Sequence, residues 1–153
     1  MTSDIGAESE PTLIPGELAV DDRGSVAFVN GANLAGFVRF YLVRNHTQKF
    51  VRAWHAHKHE RKLVSVVSGA ALVCCVRVDD WDDPSPGLEV HRYVMSAQKP
   101  TVLRVPPGFA NGSMSLTSDT TICYFADSTI EDAGSDDFRY PARLWDPWNV
   151  LER

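Results

Sequence analysis

The 153-residue sequence predicts an all-β fold, a sandwich or barrel. Three observations lead there. After Pro15-Gly16 the chain becomes a series of short runs rich in Val, Tyr and Phe, and turn formers interrupt them at close, regular spacing: Asp22-Arg23-Gly24, Asn30-Gly31, Ser68-Gly69, Asp82 to Gly87, Pro106-Pro107-Gly108. No stretch keeps a 3.6-residue apolar period for the ~10 residues a helix needs. Apolar residues make up 44% of the chain, which suits one domain with one core, and no internal repeat divides it.

In order, the expected strands are "GELAV", "GSVAFVN", "GFVRFYLVRN", "KFVRAWHAH", "KLVSVVSG", "AALVCCVRVDD", "EVHRYVMS", "TVLRVP", "GSMSLT" and "TTICYFADS". Only "NGANLAGF" suits a short helix or turn. Residues 1–16 are polar and acidic and are expected to be a flexible segment, leaving 17–153 as the single domain. The tail "DDFRYPARLWDPWNVLER" turns from acidic to aromatic. Trp145, Pro147 and Trp148 are costly to leave in water, so they are expected to cap the barrel or to pack on a partner subunit.

Fifteen Lys and Arg stand against twenty Asp and Glu, a net charge of −5 with no block of one sign. This offers no footprint for nucleic acid or an anionic membrane surface. A phosphorylated ligand would need a few local Arg and Lys residues. No apolar run approaches the ~20 residues of a membrane-spanning helix. The start "MTSDIGAESEPTL" lacks the basic and apolar regions of a secretion signal. Cys74 and Cys75 are adjacent, so in a strand they point to opposite faces, and with Cys123 they make no disulfide framework. They are expected to be small buried residues in a reducing cytoplasm.

The chemistry concentrates in residues 51–65, "VRAWHAHKHERKLVS", with three of the five histidines inside five positions. Strand alternation places Val51, Ala53, His55 and His57 on one face and Arg52, Trp54 and Ala56 on the other. His55 lies in the apolar part of the strand, where an idle ring would be costly. For His57, His59, Glu60 and Arg61, the plainer reading is an exposed turn. A metal site would need a further ligand from a later strand. There "VPPGFANGSMSL" offers Asn111, a poor ligand for metals that favour imidazole, and the spacing of His46 and His91 suggests no substitute. Proton transfer needs a base near neutrality, an opposing acid and a cation for developing negative charge. His55, Tyr124 and Lys62 supply those types, with Lys62 heading the next apolar run and Tyr124 in mid-strand.

The series "DDRGSVAF", "NHTQ", "VRAWH", "KLVSVVSGAALVCCVRVDDW", "VPPGFANGSMSLTSDTTICYF" and "WDPW" resembles, in order, the dTDP-4-dehydrorhamnose 3,5-epimerase family of cupins, over about residues 18–150. "HAH" also resembles the sugar-nucleotide 3,4-ketoisomerases. The resemblance implies a cupin-type double-stranded β-helix (a jelly-roll barrel), usually a homodimer, with no metal or organic cofactor. It implies epimerisation at C3 and/or C5, next to the C4 ketone of a nucleotide-linked 4-keto-6-deoxy sugar. His55 would be the base, Lys62 would stabilise the enolate and Tyr124 would return the proton. Arg23 and Arg52 would contact the diphosphate; Asn45, His57 and Asn111 are expected beside them as substrate-binding residues of this chain. Arg52 fits only if a bulge brings it to the face of His55.

Departures from the family pattern are also visible. Asn111 replaces the histidine of "GFAHG", Phe28 replaces an acidic residue and Ile130 replaces a second tyrosine. The carboxylate that commonly polarises the base is missing, leaving Asp79, Asp80, an acid of the tail or another chain to supply it. The rival readings are a 3,4-ketoisomerase, a sugar-nucleotide-binding cupin without catalysis, and a metal-dependent cupin.

Overall fold

The computed structural model describes residues 9–153, so residues 1–8 of the expected flexible segment lie outside it. Among the described residues twelve strands carry the fold: β1 (Thr12–Pro15), β2 (Glu17–Asp21), β3 (Gly24–Phe28), β4 (Arg39–Arg44), β5 (Val51–Ala56), β6 (Lys62–Ser68), β7 (Ala70–Arg77), β8 (Val90–Ser96), β9 (Thr101–Val105), β10 (Phe109–Ser115), β11 (Thr121–Ala126) and β12 (Phe138–Arg139). One short helix, α1 (Ile130–Gly134), follows β11 and is capped by the Thr129 side chain. Thr12–Pro15 corrects the expectation of a flexible segment to Gly16. These four residues pair antiparallel with β9, so their backbone groups are satisfied in the sheet.

Two five-stranded antiparallel sheets face each other, in the orders β1-β9-β6-β11-β4 and β12-β5-β10-β7-β8. The double-stranded barrel expected from the sequence is present. A separate hairpin, β2-β3, pairs with neither sheet. "NGANLAGF" forms turns, and the first residue past it in a strand is Arg39.

Alternation sorts the side chains. Val64 and Val66 of β6, Ile122 and Tyr124 of β11, and Leu103 and Val105 of β9 enter the core between the sheets, where Val73 and Cys75 of β7 meet them. Lys62 shares the face of Val64, so the strand that builds the core also carries an ammonium inward. A second apolar cluster covers the outer face of the other sheet: Trp54, Ala56, Leu72, Cys74 and Val76 under Trp145 and Trp148 of the tail. Cys74 and Cys75 therefore do face opposite ways, each into a different cluster. The tail tryptophans close over this chain's own sheet. Trp145 meets Trp54 edge-on at 5.4 Å, and the Trp54 indole N–H donates to the Trp145 carbonyl.

The strict alternation expected along β5 fails at one place. Ser113 of β10 pairs with Arg52 and Asn111 pairs with His55, so Ala53 and Trp54 together oppose Gly112 alone. This is a bulge, and it turns both Ala53 and Trp54 to the outer cluster. Arg52, His55 and His57 are left on one wall of the barrel mouth. Gly112 makes the bulge possible, because a Cβ there would lie 2.6 Å from the Ala53 Cβ and 3.0 Å from the Trp148 ring. Gly112→Ala is expected to destabilise the fold by about 1–3 kcal/mol through overpacking. Urea unfolding reads this, and wild-type stability would show that the bulge relaxes freely.

Candidate active site

A cavity of about 480 Å³ opens at one end of the barrel, within the range of small-molecule sites. His55, Lys62 and Tyr124 all line it. They arrive from facing sheets, His55 from the β5 sheet and Lys62 and Tyr124 from the β6-β11 sheet. A ligand between the sheets therefore meets an imidazole on one side and an ammonium and a phenol on the other.

Burial sets the protonation of each group. The His55 imidazole is pushed below its ordinary value by burial first, then by the charges of Arg139 and Lys62, while Asp137 opposes. This direction favours the neutral ring at pH 7. Burial raises the Tyr124 phenol well above its ordinary value, although a hydrogen bond with Ser113 opposes this, so the proton is retained. Tyr124 stacks on Tyr41 with ring centroids 5.1 Å apart, and burial pushes the Tyr41 phenol up to about 12. Lys62 Nζ donates to the Tyr41 hydroxyl at 3.1 Å. Burial lowers the Lys62 ammonium, and the Glu60 carboxylate works against that.

The remaining expected residues divide. Arg52 lines the cavity, and its Nε donates to Asn45 Oδ1 at 2.7 Å. Asn45 in turn donates to Ser115 Oγ at 2.7 Å, so it stands behind the wall and aims Arg52. Asn111 lines the cavity with its amide committed to the His55 carbonyl at 3.1 Å. His57 is buried rather than in an exposed turn, and its Nδ1 donates to the Asp136 carbonyl at 2.5 Å. Only His59 of the three histidines is exposed.

Arg23 corrects the expectation for its own chain. It sits in the turn of the β2-β3 hairpin, 86% exposed and paired with Asp21, and the hairpin joins neither sheet, so nothing brings it to this cavity. Asp79 and Asp80 are likewise exposed and engaged with Ser85 and their own turn. Asp137 is the tail acid that reaches the cavity, paired with Arg139 at 3.0 Å.

The sequence does not single out Arg39, Tyr41 or Arg139, and it offers Glu60 only as a turn residue. In β4 the run Arg39–Arg44 alternates two apolar faces, so nothing in the pattern marks Tyr41 as inward. Glu60 lies among His57, His59, Arg61 and Lys62, which reads as a solvated turn. It is in fact buried, and the segment is pinned by Asp136, whose carboxylate accepts the backbone N–H groups of Lys58, His59 and Glu60 at 2.8, 2.9 and 3.3 Å. Among the described residues no group of three or more His, Cys, Asp or Glu converges as a metal site would.

Fold and cavity define a cupin-type barrel with an imidazole, an ammonium and a phenol gathered at its open end. The chain belongs to the dTDP-4-dehydrorhamnose 3,5-epimerase family, a family of dTDP-sugar isomerases, whose model matches residues 20–141. Among solved structures it is similar to the dTDP-4-dehydrorhamnose 3,5-epimerase of Bacillus anthracis str. Ames with TDP and PPi bound: 24% identity, 94% of this chain, 87% of that one, TM-score 0.74. The Legionella pneumophila Philadelphia 1 3,5-epimerase in complex with dTDP-4-keto-L-rhamnose shares 20% identity over 94% of this chain and 80% of that one, TM-score 0.73. The QdtA sugar 3,4-ketoisomerase of Thermoanaerobacterium thermosaccharolyticum in complex with TDP shares 15% over 91% and 94%, TM-score 0.66. At these identities the likeness is one of fold. No curated protein matches the chain by sequence.

The carboxyl of Asp136 is raised by burial, but the three backbone N–H bonds outweigh this and hold it below its ordinary value of 3.8. A carboxyl lowered on folding contributes stability above its unfolded pKa and loses that contribution as pH falls through the folded one. Asp136→Asn is therefore expected to cost about 2 kcal/mol at pH 7, a difference that shrinks below pH 3.8. Urea unfolding of both proteins across that range checks it, and a pH-independent difference would show that the charge is immaterial.

Proposed function

We propose that this chain epimerises C3 and/or C5 of a dTDP-linked 4-keto-6-deoxy sugar by proton transfer next to the C4 ketone. One observation carries the reading: a neutral imidazole and a protonated phenol face each other across the cavity from opposite sheets. His55 takes the proton on carbon. The Lys62 ammonium stabilises the enolate oxygen that results, and Tyr124 returns a proton from the other side, which inverts the carbon. Arg52, aimed by Asn45, holds the diphosphate with its planar fork. The chemistry is carried by side chains alone.

His57 lining the cavity beside His55 favours the second reading, 3,4-ketoisomerisation, in which hydrogen also leaves and returns next to the ketone. Product analysis separates the two.

A homodimer makes one proposal of two expectations. The outer face of the β4-β11-β6 sheet leaves Phe40 65% and Val67 55% exposed, with Phe125 against Phe40, and the tail that covers the other sheet does not extend here. Arg23, on a hairpin outside its own barrel, would meet a nucleotide in the pocket of a second copy. Three unpaired buried cysteines support a cytoplasmic setting, and no helix among the described residues is long and apolar enough to cross a membrane.

Incubating a panel of nucleotide-linked 4-keto-6-deoxyhexoses in heavy water is expected to place deuterium at C3, C5 or both, with an inverted product. Background exchange with every sugar, despite binding, would make this a binding protein. His55→Ala is expected to lower exchange by about 10²–10⁴-fold with folding intact. Because burial lowers the His55 imidazole, the acid limb of kcat/KM is expected below its ordinary pKa of 6.5. A limb above that value would assign the base to another group.

A further inference from the structure

Among the described residues Glu60 is the one deeply buried carboxylate in the cavity wall, and the proton-transfer mechanism leaves it without a task. Its two oxygens are treated differently. Oε2 accepts from Arg39 Nη2 at 3.1 Å and from the Ser128 hydroxyl. Oε1 is enclosed and has no hydrogen-bond partner among the described residues. Two nitrogens stand 3.5 Å from Oε1, Lys62 Nζ and His57 Nε2. Since His57 Nδ1 donates to the Asp136 carbonyl, a neutral His57 turns a lone pair toward that oxygen. Only Lys62 can serve Oε1 without taking up a further proton.

Resting on the isomerase reading, we propose that Glu60 is a positioning residue whose carboxylate, held on its far side by Arg39 and Ser128, keeps Lys62 charged and aimed into the cavity. The ammonium has three protons. One goes to the Tyr41 hydroxyl at 3.1 Å, and one points to Oε1. The third is free for a ligand oxygen. Arg39 and Ser128 matter because they draw the carboxylate's other oxygen away. The Lys62 contact stays at 3.5 Å, beyond a normal charged hydrogen bond, so the ammonium is neutralised only in part.

Every charged or titratable neighbour of Lys62 bears on its protonation. Glu60 and His57 face it from the segment after β5, and His55 from β5 itself. Arg39 and Tyr41 face it from β4, Tyr124 from β11 and Asp137 from the segment before β12. Burial and Arg39 favour the neutral amine, whereas Glu60 and Asp137 favour the ammonium. Asp137 is already paired with Arg139, which leaves Glu60 as the buried counter-charge.

The test reads Lys62 directly. Carbon-13 lysine labelling gives four side-chain signals, Lys49, Lys58, Lys62 and Lys99, and Lys62→Met assigns the one in question. In the full chain without substrate, Glu60→Gln is expected to make Lys62 at least tenfold more acidic. Glu60→Asp, which keeps the charge one methylene farther away, is expected to fall between wild type and Glu60→Gln. The alkaline limb of kcat/KM should move down in the same order, a displacement that a merely structural role would not produce. An unchanged Lys62 titration in a folded Glu60→Gln overturns the proposal. If that variant does not fold, an unchanged titration in Glu60→Asp overturns it. If no sugar nucleotide exchanges hydrogen with wild type, the isomerase reading fails alone, because the titration still decides the pairing.

Discussion

Burying the Glu60 carboxylate is the constraint on which the cavity depends. Removing such a group from water costs several kcal/mol unless partners and hydrogen bonds replace the solvent. Here the replacements come from separate elements: Arg39 on β4, Lys62 at the head of β6 and Ser128 after β11. Asp136 completes the arrangement from outside by capping the backbone of residues 58–60. The segment from His57 to Lys62 is therefore fixed from both sides. It connects the strand carrying His55 to the strand carrying Lys62, so the separation of those two side chains is set by a buried charge rather than by a loop.

In the β12-β5-β10-β7-β8 sheet the central strand β10 is buried throughout and the outer face of β5 lies under the tail tryptophans, whereas β8 leaves Val94 66% exposed. The tail tryptophans cover one face and the facing sheet covers the other. With the outer face of β5 occupied by the tryptophan cluster, Arg52, His55 and His57 face the cavity instead. The bulge opposite Gly112 makes this possible by turning two consecutive residues, Ala53 and Trp54, to the tryptophan face. Packing thus selects which side chains reach the cavity, and Gly112 supplies the space for it.

Much of this was legible in the sequence. Turn residues at short spacing mark the strands, and a period of two places Lys62 with Val64 and Tyr124 with Ile122. The opposed faces of Cys74 and Cys75 follow from the same period. What was not legible lies where local pattern and tertiary burial disagree. Residues 57–62 carry charge at almost every position, which in sequence is indistinguishable from a solvated turn. The distant groups that pair with it, Arg39 and Ser128 on the Glu60 carboxylate and Asp136 on the backbone, are brought in only by the fold. Arg52 can share the face of His55 only through a bulge, but a one-residue insertion leaves no trace in alternation until the partner strand is known. Arg23 differs again, because a motif match does not reveal that its hairpin joins neither sheet.

Under the proposed isomerase reading, the departures from the family pattern bear on how His55 as base and Lys62 as cation would share the work. Ile130, where a second tyrosine is usual, now lines the cavity from α1 together with Ala133 and Gly134. The acid nearest in effect to His55 is Asp137, but Arg139 is paired with it, and the two charges act on the imidazole in opposite senses. Burial then decides, and it favours the neutral ring. A base of lowered pKa is ready at neutral pH but gains less from accepting a proton. Transfer from carbon must then draw more of its driving force from stabilisation of the enolate. In that reading the requirement would fall on Lys62, whose charge burial also disfavours, and this gives a physical reason for a carboxylate to be enclosed beside it.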